Sequence, residues 1–173
     1  MSENKNCLSN IVSKLCDSSD CCSTSAPLPR RGKIHQIISD LQTVLFPGYW
    51  GMSDLTKENM KFHVGATLHD TEPLLKDQIQ RGLRFGDSEK DVNEITDTFL
   101  SCLPTVQKLL LADVDAAYNG DPALINKDEA IFCYPCILAL THHRLAHELY
   151  KLDVPLLPRI IAEQAHSITG IDI

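Results

Sequence analysis

Four places in this 173-residue chain hold residue types that could do chemistry. The first is Cys133-Tyr134-Pro135-Cys136. A C-x-P-C spacing at a helix start can lower a thiol pKa and run disulfide exchange. That redox fold needs a strand before the motif and a sheet around it. Here helical patterns lie on both sides and a core stripe runs from Leu138, which favours two partly buried thiols at a helix junction. The second place is His142, His143, Arg144, His147 and Glu148. His143 and His147 are four apart, so they share a helix face and could hold zinc. The order is not His-Glu-x-x-His and spacing supplies no third ligand, which favours structural histidines beside an apolar stripe and assigns no metal. The third is Asp121, between Gly120 and Pro122, whose plain reading is a turn former. The fourth is Asp172, an acid between Ile171 and Ile173, which alone reads as an outward strand residue.

The elements that must position these residues are helices. Ile34, Ile37, Ile38, Leu41 and Leu45 make one face of a helix from Gly32 to Phe46, stopped by Pro47-Gly48. Tyr49-Trp50-Gly51 then turns, with Trp50 read as the anchor of a linker on the core in preference to a ligand platform. Asp54 to Leu68 is a second helix, with Phe62, Val64 and Leu68 partly buried. His69-Asp70-Thr71 reads as a break, where Thr71 caps a new helix and Pro73 fits its first turn. Leu74, Leu75, Ile79 and Leu83 are its buried stripe, and Gly86 ends it. Asp87 or Ser88 is expected to cap the next helix, with Glu89 and Asp91 at its positive end. Val92, Ile95, Phe99 and Leu103 form its stripe, and Pro104 is expected to open another helix that runs to Tyr118. Asn119-Gly120-Asp121-Pro122 is a turn. A helix from Pro135 buries Leu138, Leu145, Leu149 and Leu152. A last helix after Pro158 buries Ile160, Ile161, Ala165 and Ile168, and stops at Gly170. The expected class is all-α, an irregular bundle of seven or eight helices. At Ile171 the hydrophobic period changes from helical to alternating.

Residues 1–31 are rich in Ser, Asn, Asp, Cys and Pro. Leu8, Ile11, Val12 and Leu15 fit one weak helical stripe. The stretch 17–29 is too polar to fold on itself and is expected to be a mobile tail. Cys16, Cys21 and Cys22 lack partners at zinc-finger spacing. A net charge of −7 argues against nucleic-acid binding. No apolar run reaches the roughly 20 residues of a membrane helix. The first residues show no export signal, and an odd count of seven cysteines fits a reducing cytoplasm better than a disulfide framework. A size of this order suffices for one core that covers roughly 70% of the unfolded surface.

His143-Arg-Leu-Ala-His147-Glu-Leu-Tyr, the helix Pro158-Arg-Ile-Ile-Ala-Glu-Gln-Ala-His-Ser-Ile-Thr-Gly170 and the closing Gly170-Ile-Asp-Ile173 resemble the junction between helical and β-helical domains in bacterial and plant-type serine acetyltransferases. Leu110-Leu-Ala-Asp-Val-Asp-Ala-Ala-Tyr-Asn-Gly-Asp-Pro-Ala123 and Phe46-Pro-Gly-Tyr-Trp-Gly51 also resemble this family, and the likeness covers roughly 32–173. It implies a tail over 1–31, a helical N-terminal domain over 32–169, and at 170–173 the first residues of a left-handed parallel β-helix of hexapeptide repeats. The family's motif continues His-Pro after Ile-Asp-Ile, and here it does not. The resemblance implies the reaction of acetyl-CoA with L-serine to give O-acetyl-L-serine and CoA, on the route to cysteine, with no metal and no bound cofactor. It gives Asp121 the role of holding the substrate's ammonium, by charge-assisted hydrogen bonds. Asp172 would orient a general-base histidine that is expected beyond Ile173, together with the CoA-binding repeats. On this reading the 173 residues alone are inactive. Arg144 and His147 would organise the helical domain, and a small residue, usually Gly, stands in the family where Cys136 stands here. The implied partners are L-serine, acetyl-CoA, further copies in a homotrimer or dimer of trimers, and cysteine synthase through a C-terminal tail, with no membrane or nucleic acid. Two other classes stay open at this point. One is a non-catalytic helical oligomerisation module. The other is a C-x-P-C thiol oxidoreductase.

Overall fold

The computed structural model describes residues 3–17 and 27–173. Most of the stretch expected to be mobile, with Cys21 and Cys22, lies outside them. The described residues form seven α-helices and no strand: α1 Glu3–Cys16, α2 Arg31–Leu45, α3 Lys57–Phe85, α4 Val92–Gly120, α5 Lys127–Cys133, α6 Pro135–Lys151 and α7 Leu157–Thr169. The all-α class expected from the sequence is the one observed. One core runs from Ile34 on α2 to Ile161 on α7, with Leu41, Ile79, Leu83, Leu110, Ile137 and Leu145 fully buried. α1 packs against none of the other helices among the described residues.

Two expected helix breaks do not occur. Thr71 does not start a helix; it is buried in the middle of α3, with Pro73 inside the same helix. The observed start is Thr56, whose hydroxyl accepts from the Asn59 N–H while the Asn59 side chain accepts from the Thr56 N–H. Pro104 likewise lies inside α4. The reason is the apolar period. Thr71, Leu75, Gln78, Ile79, Gly82 and Leu83 keep one buried stripe through the first proline. Ile95, Phe99, Leu103, Val106, Leu110 and Val114 keep another through the second. Both prolines are exposed, so each costs only a missing N–H donor and local crowding while a whole buried face is retained.

Asp87 also differs from its expected role. It closes α3 and does not open α4. Its φ is +50°, its N–H bonds the Arg84 carbonyl, and the Ser88 N–H bonds the Leu83 carbonyl. That is the Schellman closure, with Asp in the left-handed position that Gly usually takes. The cap of α4 is Asp91, whose carboxylate accepts from the Asn93 N–H at 2.7 Å. The same closure ends α6: Asp153 has φ +56°, and the Val154 N–H bonds the Leu149 carbonyl at 3.0 Å. Lys90 ties the two closures together through the Asp153 carboxylate at 2.7 Å. Gly82 lets the α6–α7 loop sit on α3, since a Cβ there would meet the Pro155 carbonyl oxygen at 2.8 Å.

Trp50 packs edge-on against Phe46 at 5.3 Å and anchors the turn after α2, as its sequence context suggested. Ile168 is exposed, not buried, because α7 turns Leu157, Ile160, Ile161 and Ala165 inward. Leu138 is only half-buried; Ile137 takes the core position. α7 stops at Gly170, in the left-handed region at φ +71°. Residues 171–173 neither continue the helix nor pair as a strand.

Candidate functional site around Asp121

Asp121 stands where α4 stops. Its N–H still bonds the Ala117 carbonyl, while its own backbone has become extended. One carboxylate oxygen accepts from the Ala123 N–H at 2.9 Å, a local turn that Asp adopts readily. The other accepts a short hydrogen bond from the Tyr134 hydroxyl. Tyr134 is held firmly, because it ends α5 and begins α6 at once. Its N–H bonds the Ala130 carbonyl, and its carbonyl accepts from the Ile137 N–H. Pro135 then takes the first position of α6, where its missing N–H is no loss. α5 is fixed in turn by Asn126, whose side chain accepts from the Glu129 N–H at 2.9 Å. Donation from Tyr134, then from the Ala123 N–H, holds the Asp121 carboxyl below the usual carboxylate range. The same bond pushes the Tyr134 phenol up to about 12. Asp121 is therefore an oriented carboxylate at neutral pH, partly open to solvent. Such a group suits an ammonium ligand.

Asp172 lies elsewhere, just past the end of α7. It lines a recess of about 190 Å³ with His143, Ala162, His166 and Ile171, and Asp121 takes no part in it. Its carboxylate meets Nδ1 of His166 at 2.9 Å, with both side chains largely exposed. Asp121 and Asp172 thus share neither a recess nor a hydrogen-bond partner among the described contacts.

The histidine cluster resolves into distinct roles. His142 is buried and its Nδ1 donates to the Leu138 carbonyl at 2.9 Å. His143, His147 and Tyr150 stack along the outer side of α6, with ring centroids 5.9 Å and 6.4 Å apart. Near-parallel rings do not converge on a metal, and no group of three His, Cys, Asp or Glu side chains that could hold one occurs among the described residues. Arg144 grips Asp113 of α4 with two bonds of 2.7 Å, a planar fork that locks α6 onto α4. Cys133 is exposed and Cys136 half-buried, on either side of Tyr134. No strand or sheet of the kind a thiol oxidoreductase needs stands near them among the described residues. Tyr134 and Asp113 were not singled out from the sequence. The only hint of Tyr134 is its place directly before a helix-opening proline. Asp113 carries no hint that sets it apart from Glu94, Asp97 and Asp115 on the same helix.

The chain is 45% identical over 159 residues to the plasmid-borne serine acetyltransferase of Synechococcus elongatus, a match over 85% of this chain and 50% of that one. It is 46% identical over 61 residues to a Mycobacterium tuberculosis serine acetyltransferase. Among solved structures, serine acetyltransferase 1 of Entamoeba histolytica in complex with L-cysteine superposes with a TM-score of 0.66 at 26% identity, covering 87% of this chain and 52% of that one. Isoform 3 from the same organism, with cysteine, shares the fold at a TM-score of 0.65 and 24% identity. The chain matches the N-terminal helical domain of the serine acetyltransferase family. It spans about half the length of the Synechococcus serine acetyltransferase, and no protein-family model matches it.

Proposed function

We propose that this chain forms the helical part of a cytoplasmic serine O-acetyltransferase, working with acetyl-CoA as co-substrate and with no bound cofactor. The observation that carries the reading is the 45% identity to the Synechococcus enzyme over 159 residues, joined to the fold match. In the reaction, a histidine takes the proton of the serine hydroxyl. The freed oxygen attacks the thioester carbonyl, and the tetrahedral adduct expels the CoA thiolate, which takes up the proton. Asp121 grips the substrate ammonium, and the Tyr134 hydroxyl and Ala123 N–H keep that carboxylate ionised and aimed. Asp172 orients the base histidine and stabilises its imidazolium form. Within this chain Asp172 meets His166 of α7 on an open surface, and the base of this reading is a further histidine outside these residues. Trimers or dimers of trimers and a complex with cysteine synthase belong to the same reading.

The test is a chimera in which residues 1–173 replace the matching half of the Synechococcus enzyme, assayed for thiol release from acetyl-CoA and serine. Asp121→Asn should raise the serine KM about 10–100-fold, the worth of a charge-assisted bond, and leave the acetyl-CoA KM unchanged. The 173-residue chain by itself should show no turnover. An inactive chimera would overturn the assignment. Turnover by the chain alone would overturn the placing of the base histidine outside these residues, and an unchanged serine KM in the variant would remove Asp121 from the substrate site.

A further inference from the structure

Met60, Val64 and Leu68 repeat every fourth residue along the N-terminal half of α3. Opposite them stand Leu100, Leu103 and Pro104 of α4, and the end of α2 forms the floor. Together they frame an open groove of about 480 Å³. Its walls are two helices, and its lining is mostly apolar, with Lys61 and Gln107 as the polar members. A trough between two helices is the seat of a third.

The chain carries a helix that suits it. α1 has 14 residues, with Leu8, Ile11 and Val12 on one face, 66%, 46% and 56% exposed. A helix this short, rich in Ser and Asn, is marginal in water without packing, since isolated helices below roughly 12–15 residues rarely hold. It therefore needs a surface for that face.

We propose that α1 docks into this groove of its own chain, with Leu8, Ile11 and Val12 as the anchors. This rests on packing alone and is independent of the acyltransfer reading. Three features argue for it. The first is length. The stripe from Met60 to Leu68 spans about 12 Å and the stripe from Leu8 to Leu15 about 10 Å, at 1.5 Å per residue. The second is room. Gly65 lines the groove between Val64 and Leu68, and a Cβ there would meet nothing within 4 Å, so a helix can approach the α3 backbone closely. The third is reach. Leu28 and Arg30 are pinned to Arg81 and Gln78 on the far half of α3. Residues 17–27 can extend about 36–40 Å, against about 21 Å from Gln78 back to Val64 along the helix. A docked α1 covers the groove in place of another molecule.

Hydrogen exchange read by mass spectrometry tests this on the 173-residue chain. Amides of residues 7–14 should exchange at least about tenfold more slowly than in a peptide of residues 1–17. Gly65→Trp should fill the groove and return them to peptide rates while α2, α4 and α6 keep their protection. Ile11→Asp should do the same from the other side. Peptide-like exchange in the unaltered chain would overturn the proposal. So would protection that both variants leave intact. Protection that fades on dilution, with a matching change in sedimentation, would place a second copy's helix in the groove and overturn docking within one chain.

Discussion

Tyr134 shows how much of a site can rest on one hydroxyl. It touches only one of Asp121's oxygens, yet it is the largest reason that carboxyl stays below its usual range. Removing it should act in one direction. In Tyr134→Phe the Asp121 carboxyl loses its strongest donor, so its pKa should rise toward 3.8, the value of a free aspartate. A carboxyl NMR titration of wild-type and variant chains checks this; an unmoved Asp121 would remove Tyr134 from the site. In the chimera the same variant should raise the serine KM about fivefold, a smaller effect than loss of the carboxylate, because the bond sits near solvent. Asp121 was legible in the sequence as a turn residue with a family role. Its partner was not, because thirteen residues and a whole short helix separate the two.

The helices show where local rules lose. Pro73 and Pro104 are strong break signals, and the chain runs helical through both. Propensity counts one residue at a time, whereas packing acts on the whole buried stripe, and the stripe wins. Pro73 is exposed, so nothing compensates its cost locally. Pro73→Ala should therefore stabilise the fold, by restoring an N–H donor to the His69 carbonyl and relieving the clash in that turn. The expected gain is about 1–3 kcal/mol, seen as a higher Tm by circular dichroism. A lower Tm would mean that the proline sets a bend the core requires. The caps show the same limit. Asp87 and Asp91 are both acids near a helix end, and only the fold decides that the first closes α3 and the second opens α4. A left-handed φ at Asp87 leaves no mark on its neighbours' identities.

At the scale of the whole molecule, stability depends on keeping His142 neutral. It is 1% exposed, its Nδ1 proton is given to the Leu138 carbonyl, and its Nε2 has no hydrogen-bond partner. Burial, more than any other cause, moves its pKa below the ordinary 6.5. Above 6.5 the imidazole is neutral both folded and unfolded, and the full stability is present. As pH falls from 6.5 through the lowered folded value, the unfolded chain binds the proton first and stability is lost. The slope is at most about 1.4 kcal/mol per pH unit for one proton. Urea unfolding measured between neutral and mildly acidic pH should show this slope, and His142→Leu should flatten it. An unchanged slope in the variant would mean that another group governs acid unfolding. The sequence by itself determined the all-α class, most of the core stripes and the family likeness, because apolar periodicity and short motifs are local properties of a chain. It also picked out Asp121 and Asp172. The tertiary structure decided that α3 and α4 run unbroken past their prolines, that Arg144 locks onto Asp113, and that Tyr134 aims Asp121. It also decided that an apolar groove stands open between α3 and α4. Each of these depends on packing or contact between residues far apart in the chain, and no local pattern encodes which distant surface a side chain will meet.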